Sequence, residues 1–287
     1  MSLKIIVLAK QVPDTRNVGK DAMKADGTVN RAALPAIFNP EDLNALEQAL
    51  RLKDQFPGST VTLLTMGPPR AEDIIREGLF RGADGGYLLT DRVFAGADTL
   101  ATGYALHKAI GKIGEFDLIL SGRQAIDGDT AQVGPQVAEK LNIPQITYAE
   151  EIRSIANGKI IVKRRLERGI EIVEGILPIL VTVTGSAPAC RPRNAKLIQK
   201  YKYAIPQPPE GGGAAKSPSG NFGVLNEWNA ADMEADVQQC GLSGSPTKVK
   251  KIESVVFRAK ESKTLDSSDE QIEALIVELI TNHTIGG

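Results

Sequence analysis

Short apolar runs alternate with longer stretches of helical spacing through the first half of the chain. Residues 3–9, 61–65, 87–89 and 116–120 are runs of strand length, the first interrupted only by Lys4. Asn39 stands before Pro40, Glu41 and Asp42, the signature of a helix N-terminus. Leu43, Leu46 and Leu50 then fall on one helical face until Pro57-Gly58 breaks the pattern. Further helices are predicted over 71–81, closed by Gly82, from Asp98 or Thr99 to about residue 112, and over 135–141. Continuous apolar strands suit a sheet covered on both faces. Strands alternating with helices of about ten to fifteen residues predict parallel βαβ units, hence an α/β fold. The polar stretch 11–33 is expected to be irregular.

In such a sheet the βα loops share one edge, where α/β proteins bind ligands. Segments 9–12, 65–67, 98–102 and 121–134 should converge there, and Asn39 can join them. Edge geometry makes Asp98, Thr99 and Thr102 candidates. The most informative segment is 121–134, a polar, glycine-bearing turn between a strand and a helix. A helix N-terminus offers N–H groups and partial positive charge to a phosphate, and Thr130 and Gln132 can add hydrogen bonds. Neither the Walker A lysine motif nor G-x-G-x-x-G after the first strand is present, so a less common nucleotide-binding mode is implied. Lys10 can meet a phosphate or face solvent. Asn39 is most simply a helix cap, with a nucleotide contact left open.

After residue 148 the pattern changes. Residues 159–166 and 170–175 read as a two-stranded antiparallel ribbon turning at Arg168-Gly169. Residues 179–184 read as a last sheet strand. From 188 onward the chain is rich in Pro, Gly and Lys; 206–220 reads as a linker, and 271–280 has helical spacing. Two regions are expected: an α/β domain over 1–189, and over 190–287 an extended arm too poor in apolar residues to form its own core.

Composition narrows the function. The net charge is −1 over 287 residues, which gives no drive toward nucleic acid or membrane. Arg191, Arg193, Lys196, Lys200 and Lys202, with Tyr201 and Tyr203 between them, fit a solvated or protein-contacting loop better than a nucleic-acid patch. Two histidines make a His-based metal or triad site an unfavoured reading, and Ser121 has no G-x-S-x-G setting. Asp127 and Asp129 are explained more simply as loop and cap residues than as an acid/base pair. Cys190 and Cys240 suit reduced thiols. Lys4 is followed by five apolar residues before Lys10, too few for a secretory leader, and no run approaches the roughly 20 residues of a membrane span. A soluble, cytoplasmic protein is expected.

Several ordered motifs resemble one family. They are Ala9-Lys10-Gln11-Val12-Pro13-Asp14, Asn39-Pro40-Glu41-Asp42 with Ala45-x-Glu47, Arg76-x-x-Leu79-x-x-Gly82-Ala83-Asp84, Gly122-Arg123-Gln124-Ala125-Ile126-Asp127, and Pro192-Arg193. The chain resembles the β-subunit of electron-transfer flavoproteins along essentially its whole length. The resemblance implies an adenine-nucleotide α-hydrolase-like domain whose arm packs on a larger α-subunit that carries FAD. It implies an electron carrier rather than a stand-alone enzyme, passing electrons between an acyl-CoA or other dehydrogenase, or NADH, and downstream acceptors. In most of the family the β-subunit holds AMP structurally; in the electron-bifurcating branch it holds a second FAD and the heterodimer oxidises NADH. The stretches 12–15, 127–135 and 241–249 are similar to the bifurcating branch, and small residues at Gly128 and Ala131 suit a larger ligand. FAD is therefore expected, with AMP as the alternative.

By motif, the nucleotide contacts implied are Leu8 or Ala9, Asn39, Pro40, Glu41, Asp42 and Met66. The loop adds Gly122, Arg123, Gln124, Ala125, Ile126, Asp127, Gly128, Asp129, Thr130, Ala131, Gln132 and Val133. Arg123 and Thr130 are candidate donors to a flavin. Arg193 matches the family's partner-recognition loop, with Leu197 as its apolar anchor. An ATP-using hydrolase of the same fold would need the phosphate motif after the first strand that this chain lacks.

Overall fold

The computed structural model describes residues 1–14, 35–206, 224–247, 264–266, 268–282 and 284–285. They fall into two units, 1–247 and 264–285. The first is built on a nine-stranded sheet ordered β11-β5-β4-β1-β6-β10-β7-β8-β9. These strands are β1 (Lys4–Leu8), β4 (Thr60–Met66), β5 (Gly85–Leu89), β6 (Leu118–Gly122), β7 (Gln145–Ala156), β8 (Lys159–Leu166), β9 (Gly169–Ile176), β10 (Ile179–Val183) and β11 (Leu225–Trp228). The sheet is parallel from β11 through β7. β8 and β9 add antiparallel. A separate pair, β2 (Gln11–Pro13) and β3 (Ala36–Phe38), runs antiparallel.

The apolar strands are buried on both faces because their side chains alternate between two cores. Ile5, Val7, Leu63 and Leu120 pack with Leu46, Ala49 and Leu50 of α1 (Pro40–Gln55) and Ile75 and Leu79 of α2 (Glu72–Leu79). Ile6, Leu8, Leu64 and Ile119 pack with Leu106 and Ile110 of α3 (Thr99–Ile113) and Val137 of α4 (Val133–Leu141). The chain leaves β1 toward β4 and β5 on one side, and later builds β6, β10 and β7 on the other. The order of strand addition therefore reverses between β1 and β6, which run parallel, and the loops after these two strands flank a topological switch point.

Several expectations are corrected. The ribbon has three strands, because β7 pairs with β8 as well as with β10. Polar residues interrupt β7, and its exposed stretch hid the period from the sequence. The β8–β9 turn is Glu167-Arg168, with Gly169 already opposite Leu166 in the ladder. β10 is a sheet strand as expected but not the last, because β11 follows it; it is central, between β6 and β7, and buried throughout. Residues 11–13 of the stretch expected to be irregular form β2, whereas 15–33 lie outside the described residues.

Of the expected arm, Leu225–Trp228 joins the sheet beside β5, where Trp228 stacks on Tyr87 at 4.3 Å. The expected linker lies outside the described residues from 207 onward. α5 (Ala195–Tyr201) packs Leu197 and Tyr201 against the α1–α2 core. The second unit is α6 (Asp269–Thr281), whose Ile272, Ile276, Val277 and Ile280 are exposed. Among the described residues, no helix is long and apolar enough to cross a membrane.

Candidate functional site at the switch point

Helix α1 begins with Asn39 in the N-cap position, yet the Asn39 side chain makes no cap hydrogen bond. This corrects the simpler expectation. The side chain reaches instead to the loop after β6, where Nδ2 donates to the Gln124 carbonyl at 2.9 Å and Oδ1 accepts from the Ile126 N–H at 3.2 Å. Glu41 Oε2 accepts from the Gln124 N–H at 2.9 Å. Its Oε1 accepts from the Gly185 N–H and from Arg123 Nη2, both at 3.2 Å.

Asp42 closes the gap between the two central strands. Its Oδ2 accepts from the Lys10 N–H after β1 at 2.8 Å, and its Oδ1 from the Gly122 N–H ending β6 at 2.9 Å. Burial pushes the Asp42 carboxyl up to about 7, against the opposing pull of Asn39, the two amides and the Lys10 charge. Gly122 is obligatory here, because a Cβ would stand 2.3 Å from Asp42 Oδ1 and 2.8 Å from the Asp42 nitrogen.

Beyond Ile126 the loop turns outward. The Ala125 carbonyl accepts from the Gly128 and Asp129 N–H groups. Asp129 and Ala131 take left-handed φ values of 49° and 53°. Lys10 Nζ bridges both carboxylate oxygens of Asp127, at 2.8 and 2.9 Å, and Gln124 Nε2 donates to Asp129 Oδ1 at 2.9 Å. The backbone N–H groups of Thr130, Ala131, Gln132, Val133 and Gly134 donate to no acceptor among the described residues. They lead into the N-terminus of α4, and alternating left- and right-handed residues that present successive amides make an anion-binding concavity. A Cβ on Gly128 would meet nothing within 4 Å.

The third side of the loop is α3. Asp98, rather than Thr99, caps this helix, accepting from the Leu100 and Ala101 N–H groups. Burial raises its pKa, but the amides of Ala101, Thr247 and Leu100 outweigh that and hold it below the usual carboxylate range. Thr99 Oγ1 donates to Gln132 Oε1 at 2.9 Å and accepts from Gln136 Nε2 at 3.2 Å. Thr102 lies farther into α3, its N–H on the Asp98 carbonyl. Leu8 and Ala9 are buried at the end of β1, and Met66 is half-buried at the end of β4. Arg193 is exposed on a separate stretch before α5, and Leu197 is half-buried.

Residues that the sequence reading missed also build this edge. Gly185 supplies an amide to Glu41, and Ser245 and Thr247 meet the Asp98 backbone and carboxylate, respectively. The Arg123 guanidinium lies 5.6 Å from the Tyr148 ring centre. Gly185 was legible only through the placement of β10. The Ser245 and Thr247 contacts span 147 and 149 residues of chain and have no local signal.

Residues 26–205 match the model of the electron transfer flavoprotein domain. The chain belongs to the electron-transfer flavoprotein family. It is 46% identical over 257 residues to the electron transfer flavoprotein subunit beta of Megasphaera elsdenii, covering 87% of each chain. It is 44% identical over 247 residues to the caffeyl-CoA reductase-Etf complex subunit CarD of Acetobacterium woodii, covering 86% of each. The acryloyl-CoA reductase electron transfer subunit gamma of Anaerotignum propionicum is 41% identical over 290 residues, spanning 99% of this chain and all of that one. The family's domain match ends at residue 205, so β11 and α6 lie outside it.

Proposed function

We propose that this chain is the β-subunit of a heterodimeric electron-transfer flavoprotein and holds FAD on the loop at its switch point, in a complex that bifurcates electrons. The observation that carries this reading is the row of uncommitted amides at residues 130–134, leading into α4 beside the end of β6. Such a row fits the phosphates of an adenine nucleotide. The buried Ser121 hydroxyl, without a hydrogen-bond partner beneath Gly134, gives the same edge a further polar group. The open space at Gly128 supports the larger FAD over AMP.

The chain's own residues would bind and orient. The amides of 130–134 would hold phosphate oxygens, and Thr99 would hold the loop through Gln132. FAD, when bound, supplies the redox chemistry, and the protein supplies position and electrostatics. Arg123 is engaged by Glu41, so its charge would act from a fixed place. The apolar face of α6, with Ile272, Ile276 and Ile280 exposed, supports an arm that packs on a larger α-subunit. Arg193 and Leu197 would meet a dehydrogenase of the acyl-CoA or a related class, with NADH as electron donor to the complex. A Leu197→Ala variant that keeps its nucleotide but loses coupling to the dehydrogenase would support that role.

The test is nucleotide stoichiometry. The chain is co-expressed with its α-subunit, the purified complex is denatured, and FAD and AMP are quantified by chromatography. Two FAD per heterodimer are expected. One FAD and one AMP would assign the chain to a simple carrier with a structural nucleotide, and a complex without a nucleotide on this chain would overturn the site.

A further inference from the structure

Three side chains in the first turn of α1 hold the nucleotide loop at every second residue. Asp42 takes the amide of Gly122, Glu41 that of Gln124, and Asn39 the carbonyl of Gln124 and the amide of Ile126. Two of them also tie the loop to neighbouring strand ends, Asp42 to β1 through the Lys10 amide and Glu41 to β10 through the Gly185 amide. Asn39 is fully buried and Asp42 nearly so. Both polar atoms of Asn39 and all four carboxylate oxygens of Glu41 and Asp42 have protein partners. A ligand could reach the buried atoms of Asn39 and Asp42 only by displacing the loop, whereas Glu41 is half-buried with its carboxylate engaged by Gln124, Gly185 and Arg123. Pinning 122, 124 and 126 also fixes where the chain turns at Ala125, and so where the amides of 130–134 point.

We propose that Asn39, Glu41 and Asp42 are positioning residues, which set the nucleotide loop through its backbone and do not touch the nucleotide. The proposal rests on the reading that this loop holds an adenine nucleotide. It separates three roles that the motif alone merges. A helix cap is served equally by Asn and Asp, so Asn39→Asp would change nothing. A nucleotide contact affects affinity but not the empty loop. A positioning residue affects both, because the apparent affinity falls with the population of the competent loop.

Asn39→Asp keeps the acceptor for Ile126 but sets a carboxylate oxygen against the Gln124 carbonyl. Glu41→Gln turns an NH₂ group toward at least one of three donors. Asp42→Asn does the same between two amides, but Asp42 bridges the ends of β1 and β6 and its loss can impair folding, so the first two variants carry the test. Amide hydrogen exchange is followed at residues 122–126 in the nucleotide-free full-length chain, and FAD and AMP binding are titrated on the same preparations. Both variants are expected to exchange at 124 and 126 about tenfold faster and to bind about tenfold more weakly. Wild-type exchange with weakened binding would overturn positioning in favour of contact. Wild-type values in both would mean that neither side chain sets the loop, and would overturn the proposal while the nucleotide site stands. A wild-type chain that takes up neither nucleotide overturns both readings.

Discussion

Replacing Gly122 by alanine tests whether the switch point is as tightly closed as the distances imply. The added Cβ would lie 2.3 Å from Asp42 Oδ1 and 2.8 Å from both the Asp42 nitrogen and the Glu41 carbonyl carbon. The last two are backbone atoms of α1, which cannot rotate away. Overpacking of this kind costs about 1–3 kcal/mol. Relief requires α1 to draw back from β6, which lengthens the Gly122–Asp42 hydrogen bond; a bond to a charged group contributes about 1.5–3 kcal/mol. Together these predict a loss of about 3 kcal/mol or more. For a unit of this size that is a fall of roughly 6–12 °C in midpoint. The single tryptophan, Trp228, stands in β11 of the same sheet, so its fluorescence follows the unfolding of this unit. Gly128→Ala is the internal control, since its Cβ meets nothing, and its midpoint should stay within about 0.5 kcal/mol of wild type. A Gly122→Ala midpoint indistinguishable from that control would refute the close approach of α1 to β6.

Three further outcomes are expected. A carboxyl raised to about 7 in the fold stabilises most at low pH, and that contribution is lost as pH climbs from about 4 toward 7. The stability of wild type relative to Asp42→Asn should therefore fall by about 4 kcal/mol across that window, as read by urea denaturation at pH 4 and 8; a difference independent of pH would rule out a proton on Asp42. Lys10→Met removes a half-exposed ion pair with Asp127, so stability should change by less than about 1 kcal/mol while nucleotide affinity becomes less sensitive to salt. Thr99→Val breaks the link to Gln132 and Gln136, and should weaken nucleotide binding several-fold with the melting point nearly unchanged; equal binding would remove α3 from the site.

The α/β unit was legible because its strands and helices carry their own signals. The apolar runs of β1, β4 and β6 and the Asn39-Pro40-Glu41-Asp42 start of α1 are local facts, and they place the loop edge without any long-range knowledge. What was not legible depends on pairing. β7 alternates poorly because one part is buried against β10 and the other lies in an exposed ribbon. β10 reads as a strand, but nothing in residues 179–184 says that it is central. β11 is four residues long and pairs with β5 across more than 130 residues of chain, which no local pattern encodes.

The roles of Asn39, Glu41 and Asp42 illustrate the same limit inside the site. Read locally, Asn before Pro with two acidic residues in the first turn is complete as a helix start, and every residue type has a reason to be there. The structure keeps the helix but redirects the side chains. Acids placed to complement the helix dipole are also acceptors at the height of the β6 loop, because the N-terminus of α1 packs against the end of β6. A residue type that one requirement explains can thus be held in place by another. Here the two requirements call for different substitutions. Asp at position 39 satisfies the helix and fails the loop, so one conservative change separates the residue's place in the fold from its work at the site.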